Sequence, residues 1–342
     1  MIPVTILTGF LGAGKTTLLN RLLKRPEMAG TAVLINEFGE IGLDHLLVKR
    51  LDEDAVLLNA GCLCCTVRGD LVRALRDLAA RERPISRVVI ETTGLADPAP
   101  ILQTLMGDPM ILSRYALDGV VTLVDAATGL ATLDTQEEAL RQAAVADRIV
   151  LTKTDIADGG AVDALRARLA TLNPGAPLLT AVMGEVEPAA LLEAGPFDPA
   201  QKNPDVARWL GHAAHDHHHH HHHDVNRHGP GIHAFCLRYE EPLPWDGLAT
   251  WLEVLSMTKG QHILRMKALL NLEGQDRPVV LHAVQHLFHP PIHLPAWPEG
   301  DDRSSRLVFI LRDLDRAVVE GGLNAFLESA RREAAISAPP AA

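Results

Sequence analysis

Short unbroken runs of valine, isoleucine and leucine alternate with helix-periodic stretches through the first half of the chain. Unbroken runs suit strands buried on both faces, whereas half-exposed strands alternate polar and apolar positions. Candidate strands fall at 4–8, 32–35, 56–58, 87–91, 119–124, 148–152 and 178–180, with helices at 16–24, 70–80, 136–146 and 161–172. Such βα alternation predicts an α/β domain, a mostly parallel sheet flanked by helices.

The pattern changes after about residue 195. Residues 196–205 are rich in proline and aspartate, and His212, His215 and a run of histidines at 217–223 follow, with Asp224 and His228 before Gly229-Pro230-Gly231. A histidine run can be an expression tag, but tags are normally terminal and over a hundred patterned residues follow this one. It reads as a natural His-rich linker. Strands at 233–239, 263–272, 278–286 and 306–311 and helices at 245–257 and 315–332 then predict a smaller α+β domain, with Pro244 in the first turn of the former helix. The expected organisation is 1–195, a linker at 196–230, an α+β domain at 231–336 and a disordered tail at 337–342.

Composition narrows the function classes. At about 150 residues per domain, 342 residues suggest two domains. A 47% hydrophobic and 22% charged chain has ample core material and is not mainly disordered. Lys and Arg number 32 against 43 Asp and Glu, a formal charge of −11, which argues against nucleic acid as a partner. No apolar run approaches the roughly 18 residues of a membrane span, and Met1 leads directly into a strand. The expectation is a soluble, cytoplasmic protein without a membrane partner. Four cysteines are too few for a disulfide scaffold, and Cys62, Cys64 and Cys65 are too close together to bridge without strain, so reduced thiols are expected.

Gly9-Phe-Leu-Gly-Ala-Gly14-Lys15-Thr16 matches G-x-x-x-x-G-K-[ST] immediately after a strand. Backbone N–H groups at such a helix start cradle phosphates, so Gly12, Ala13, Gly14, Lys15, Thr16 and Thr17 are nucleotide-binding candidates. Lys15 is expected to reach the β- and γ-phosphates and the Thr16 hydroxyl to ligate Mg²⁺. Thr152-Lys153-Thr154-Asp155 follows a strand as the N-K-x-D element does in P-loop GTPases. There the Asp155 carboxylate can accept from guanine donors that adenine lacks, and the Lys153 stem can lie along the base. Thr152 stands where asparagine is commoner, which weakens the formal match. Glu91-Thr-Thr-Gly94 ends another strand: Gly94 can bring an N–H to the γ-phosphate, and Glu91 can hold Mg²⁺ or polarise water. Asp125 also closes a strand, with no assignable role from sequence. A P-loop small-molecule kinase would share the first motif but needs neither residues 152–155 nor the thiols.

Cys62, Cys64 and Cys65 follow the strand at 56–58. Three soft ligands at this spacing suit Zn²⁺ and can leave one position open. Cys236, alone in a strand, reads as core.

The ordered set of 9–17, 36–44, 61–65, 91–94 and 152–155 resembles the CobW-type metallochaperone GTPases, related to nickel-enzyme accessory GTPases, over nearly the whole chain. The resemblance implies GTP hydrolysis to GDP, coupled to handling Zn²⁺, or Co²⁺ in cobalamin-associated members, with delivery to a client metalloprotein. It puts Cys62, Cys64 and Cys65 on the family's C-x-C-C metal motif, Glu91 on its characteristic glutamate, and Glu37, Glu40 and Asp44 in a switch-like segment able to serve Mg²⁺, cargo metal or the hydrolytic water. Lys15, Glu91 and Glu37 are the candidate catalytic residues. A cobalt-handling GTPase of cobalamin biosynthesis and a P-loop metal store or sensor are the alternatives. The C-terminal domain is expected to recognise clients, and His282, His286, His289 and His293 are expected to be structural more than metal-binding.

Overall fold

A computed structural model describes residues 1–36, 57–60, 67–81, 84–192, 231–298 and 300–337. The chain divides into two compact units, Met1–Pro204 and Asp205–Ala342.

In the first unit the elements run β1 (Ile2–Gly9), α1 (Lys15–Leu22), β2 (Thr31–Asn36), β3 (Leu57–Ala60), α2 (Val67–Ala79), β4 (Arg87–Glu91), α3 (Ala99–Gly107), α4 (Pro109–Leu112), β5 (Tyr115–Asp125), α5 (Gly129–Thr135), α6 (Glu137–Ala144), β6 (Arg148–Thr152), α7 (Gly159–Leu172), β7 (Leu178–Ala181) and α8 (Pro188–Leu191). The seven described strands form one parallel sheet in the order β3-β2-β4-β1-β5-β6-β7. Its central strands are buried along almost their whole length, β6 completely, as their aliphatic runs require. Strands β4 and β5 follow one another in the chain yet flank β1 on opposite sides. That reversal of strand order is where open α/β sheets bind ligands, beyond the carboxyl ends of the strands.

Several boundaries differ from the sequence pattern. Strand β5 begins at Tyr115 rather than 119, because the backbone at Tyr115 pairs with Ile2 and its hydroxyl donates to the Leu75 carbonyl, 2.7 Å away. Helix α3 escapes periodicity because Ala99, Ile101, Leu102, Thr104, Leu105 and Met106 are all buried, leaving almost no polar face. The helix expected at 136–146 is preceded by α5, and the two are separated at Gln136.

The second unit contains β8 (Ile232–Tyr239), α9 (Trp245–Lys259), β9 (Ile263–Leu270), β10 (Val279–Val284), β11 (Leu287–Phe288), β12 (Ile292–His293), β13 (Ser305–Arg312) and α10 (Arg316–Ser337). Its antiparallel sheet has the order β11-β10-β9-β13-β8, with β12 beside β10. Alternate residues Phe235, Leu237, Met266, Ala268, Leu281, Leu307 and Phe309 share one core with Leu248, Trp251 and Leu255 of α9 and Val319, Leu323 and Leu327 of α10. The strand expected at 278–286 ends at Val284 instead. Gln285, with φ 54°, turns the chain into β11 and leaves His286 exposed. Pro244 caps α9 from an extended conformation rather than lying in its first turn. Helix α10 runs through Ser337, the first residue of the expected tail; 338–342 lie outside the described residues.

Candidate nucleotide site

Strand β1 ends in Gly9, and the turn through Gly14 leads into α1 at Lys15. Gly14 caps the helix in the left-handed conformation (φ 90°) with no side-chain cap, so the first N–H groups of α1 have no side-chain acceptor at the cap. A Cβ added at Gly12 would meet nothing within 4 Å, so the outer wall of the turn is open. Lys15 is only 9% exposed and its ammonium donates to the carbonyls of Gly9 (2.8 Å) and Phe10 (3.2 Å), lying along the inside of the loop.

The next residue reaches the neighbouring strand. The Thr16 hydroxyl donates to Oε1 of Glu91 over 2.9 Å, and Glu91, at the end of β4, is 5% exposed. A hydroxyl and a carboxylate converging beside the loop are hard oxygen donors of the kind Mg²⁺ selects, so these residues fit that ion. The following Thr92 donates to Oγ1 of Thr8 on β1 (2.7 Å), fixing the start of the 92–94 segment to the central strand. Gly94 lies flush on the loop: a Cβ there would be 2.6 Å from the Leu11 nitrogen, so only glycine permits this approach.

At the end of β6 the threonine that stands where asparagine is commoner is tied to the phosphate loop. The Thr152 hydroxyl donates to the Ala13 carbonyl (2.9 Å), tying the end of β6 directly to the phosphate loop. Lys153 then takes a left-handed conformation (φ 57°) and its ammonium donates to Oδ2 of Asp125 at 2.7 Å. Oδ1 of Asp125 accepts from the Ala127 N–H. Asp125 therefore orients Lys153, a role invisible in sequence. Asp155 lies in the exposed turn that follows.

Cys62, Cys64 and Cys65, together with Glu37, Glu40 and Asp44, lie outside the described residues, as does the histidine-rich segment. The strands leading to the first two groups are described: β2 ends at Asn36 and β3 at Ala60, which are register partners, and Ile35 is the partner of Glu91.

In the second unit the rings of His282 and His289 lie 4.5 Å apart, His286 and His293 are exposed, and no cluster of three or more potential metal ligands occurs among the described residues. Cys236 is half-buried on β8, between Phe235 and Leu237 of the core but outside it. No helix among the described residues is long and apolar enough to cross a membrane.

Residues 3–180 match the CobW/HypB/UreG nucleotide-binding domain, and residues 232–327 match the cobalamin synthesis protein cobW C-terminal domain. The chain belongs to the CobW family. Among curated relatives it is 34% identical over 314 residues to the zinc chaperone YjiA of Escherichia coli, covering 90% of this chain and 93% of that protein. It is 31% identical to the zinc chaperone CobW of a Sinorhizobium species, covering 95% and 97%. The crystal structure of the Zn(II)-bound YjiA GTPase from E. coli superposes with a TM-score of 0.68 at 28% identity, covering 95% of this chain and 98% of that one. The family thus shares both domains and their order with this chain.

Sequence inspection missed four members of the site. Asp97 lies within the 91–97 segment, Thr8, Arg141 and Gln142 hydrogen-bond to that segment, and none of the four belongs to a nucleotide motif. A polar Gln142 on the otherwise apolar face formed with Ala139 and Ala143 was the one available signal.

Proposed function

We propose that this CobW-family chain hydrolyses GTP and uses the nucleotide state to set the affinity of Cys62, Cys64 and Cys65 for a soft divalent metal, Zn²⁺ or Co²⁺, which it passes to a client metalloprotein through the unit at 231–336. The observation that carries this reading is the register of three strand ends. Asn36, Ala60 and Glu91 finish adjacent parallel strands, so the described strands that precede the acidic and thiol segments in the chain end beside the Thr16–Glu91 pair. Two ligands bound from neighbouring strand ends can bias one another through the loops between them. The names of the relatives, zinc chaperones, support zinc as the cargo.

In this reading Lys15 turns its ammonium from the Gly9 and Phe10 carbonyls to the β- and γ-phosphates. Thr16 and Glu91 would hold Mg²⁺, which would supply charge neutralisation at the transferred phosphoryl group. Gly94 donates its N–H to the γ-phosphate, and Glu37 positions the attacking water. Lys153, held by Asp125, lays its stem on the base while Asp155 accepts from guanine. The thiols bind metal as thiolates, so loading releases protons and weakens in acid. A coupling of about 1–3 kcal/mol would change metal affinity roughly 5- to 150-fold between nucleotide states.

The test is calorimetric titration of Zn²⁺ into the apo, GTP-analogue and GDP-loaded protein, beside competition of GTP and ATP for the nucleotide site. Different metal affinities and preference for GTP support the reading. Equal metal affinities remove the coupling, and equal GTP and ATP affinities remove the guanine assignment.

A further inference from the structure

The amide nitrogen of Gln142, on α6, donates to two carbonyls of one loop: Gly94 at 3.1 Å and Ala96 at 3.0 Å. Gln142 is 1% exposed, so both bonds are shielded from water. The preceding residue acts on the same loop. Arg141 pairs with Asp97 at 3.4 Å, and Asp97 in turn accepts from the Ala99 N–H at the start of α3 (2.9 Å). Glu137, one turn earlier on α6, holds the other guanidinium nitrogen at 2.6 Å. Two consecutive side chains of one helix thus grip residues 94–97.

The gripped residue is the one pressed on the phosphate loop. Gly94 abuts the Leu11 backbone on one side and has its carbonyl held by Gln142 on the other. Gln142 also lines a cavity of about 20 Å³ behind that loop, with Phe10, Leu11 and Asp125 among the other walls. Its Oε1 is buried and finds no partner among the described residues. A cavity this size has room for about one water. An amide whose nitrogen holds the Gly94 loop, on a residue that also lines the space behind the phosphate loop, is placed to register the two against each other.

We propose that Gln142, assisted by Arg141, is a positioning residue for triphosphate recognition: it fixes Gly94 where its N–H can meet a γ-phosphate. This deepens the nucleotide reading above and rests on it. A diphosphate does not reach Gly94, so the clasp acts on triphosphate over diphosphate discrimination and leaves the shared phosphate and base contacts alone. A Gln142 that served only packing would affect both nucleotides and the stability alike.

The experiment measures affinity for a non-hydrolysable GTP analogue and for GDP, with Mg²⁺, in the full-length chain and in Gln142→Met, which conserves volume without the donor. Losing two buried hydrogen bonds should weaken the analogue about 5- to 20-fold while GDP stays within about twofold. Arg141→Met removes a half-exposed contact and should shift the same ratio about two- to fivefold. That second variant retains the test if Gln142→Met does not fold. A parallel loss for both nucleotides, or an unchanged ratio in the folded variants, overturns the proposal. The ratio is read whichever base is preferred, so ATP binding as well as GTP would defeat the guanine assignment without touching the clasp.

Discussion

The hydroxyl of Thr152 donates to the carbonyl of Ala13 over 2.9 Å, joining the end of β6 to the phosphate loop. Both residues are buried, so no water competes for the bond. Threonine, with one short donor, therefore performs a tethering job in a position where the motif commonly has an amide.

Replacing this residue tests the tether. Thr152→Val keeps the shape and removes the hydroxyl, leaving the Ala13 carbonyl without that donor. A net hydrogen bond of about 0.5–1.5 kcal/mol corresponds to roughly 2- to 12-fold weaker nucleotide binding. Titration with a fluorescent GTP analogue checks this. Unchanged affinity would show that the loop holds its shape without β6.

Gly9 tolerates nothing larger. An added Cβ would lie 2.4 Å from the Leu123 carbonyl oxygen, and φ is +144°. Since β1 and β5 are paired there, neither can move away cheaply. Gly9→Ala should cost about 1–3 kcal/mol. Thermal unfolding of the variant should fall by about 2–4 °C per kcal/mol for a domain of this size. An unaltered melting temperature would contradict the packing of β1 on β5.

His289 makes the stability of the second unit sensitive to acid. Burial holds its imidazole below the usual histidine range of 6.5, against the smaller opposing effect of its hydrogen bond to the Pro290 carbonyl. The unfolded chain therefore takes up a proton here before the folded one does. The contribution is fully present above about pH 6.5 and is lost as pH falls towards the depressed folded value. Urea unfolding of wild type and His289→Asn, compared at about pH 7 and about pH 5, should show a shallower pH dependence in the variant. Identical slopes would mean that the imidazole titrates as it does in water.

Burial also pushes the Cys236 thiol up to about 11, with nearby Arg306 among the smaller opposing influences. Thiolate is the reactive species, so alkylation of the native protein at about pH 8 should be roughly 100-fold slower at Cys236 than at an ordinary thiol. Peptide-resolved mass spectrometry after iodoacetamide treatment separates it from the other cysteines. Rapid native labelling would show that the thiol ionises as an ordinary cysteine does.

Much of the first unit was legible because its signals are local. The aliphatic runs that became β1, β4 and β6 need only be buried on both faces, and the loop from Gly9 to Thr16 needs only contiguous residues between a strand and a helix. Helix α3 was not legible, since burial on nearly every side removes the polar face that periodicity detects. The hairpin of β10 and β11 was hidden because His286, in its turn, continues an apparently uninterrupted strand. Within the site, Lys15, Thr16 and Glu91 were readable as chemistry, and Thr16 and Glu91 prove to be in contact.

The amino-acid order alone determined the phosphate loop, the parallel strands and the two-domain plan, because backbone N–H groups and aliphatic runs act through their immediate neighbours. Tertiary structure decided which residues serve that loop from afar. Thr152 lies 139 residues from Ala13, Lys153 meets Asp125 across 28, and Gln142 reaches Gly94 across 48. A polar side chain carries no mark of its eventual partner. Only the closing of the sheet, with β4 and β5 on either side of β1, brings these donors and acceptors within bonding distance.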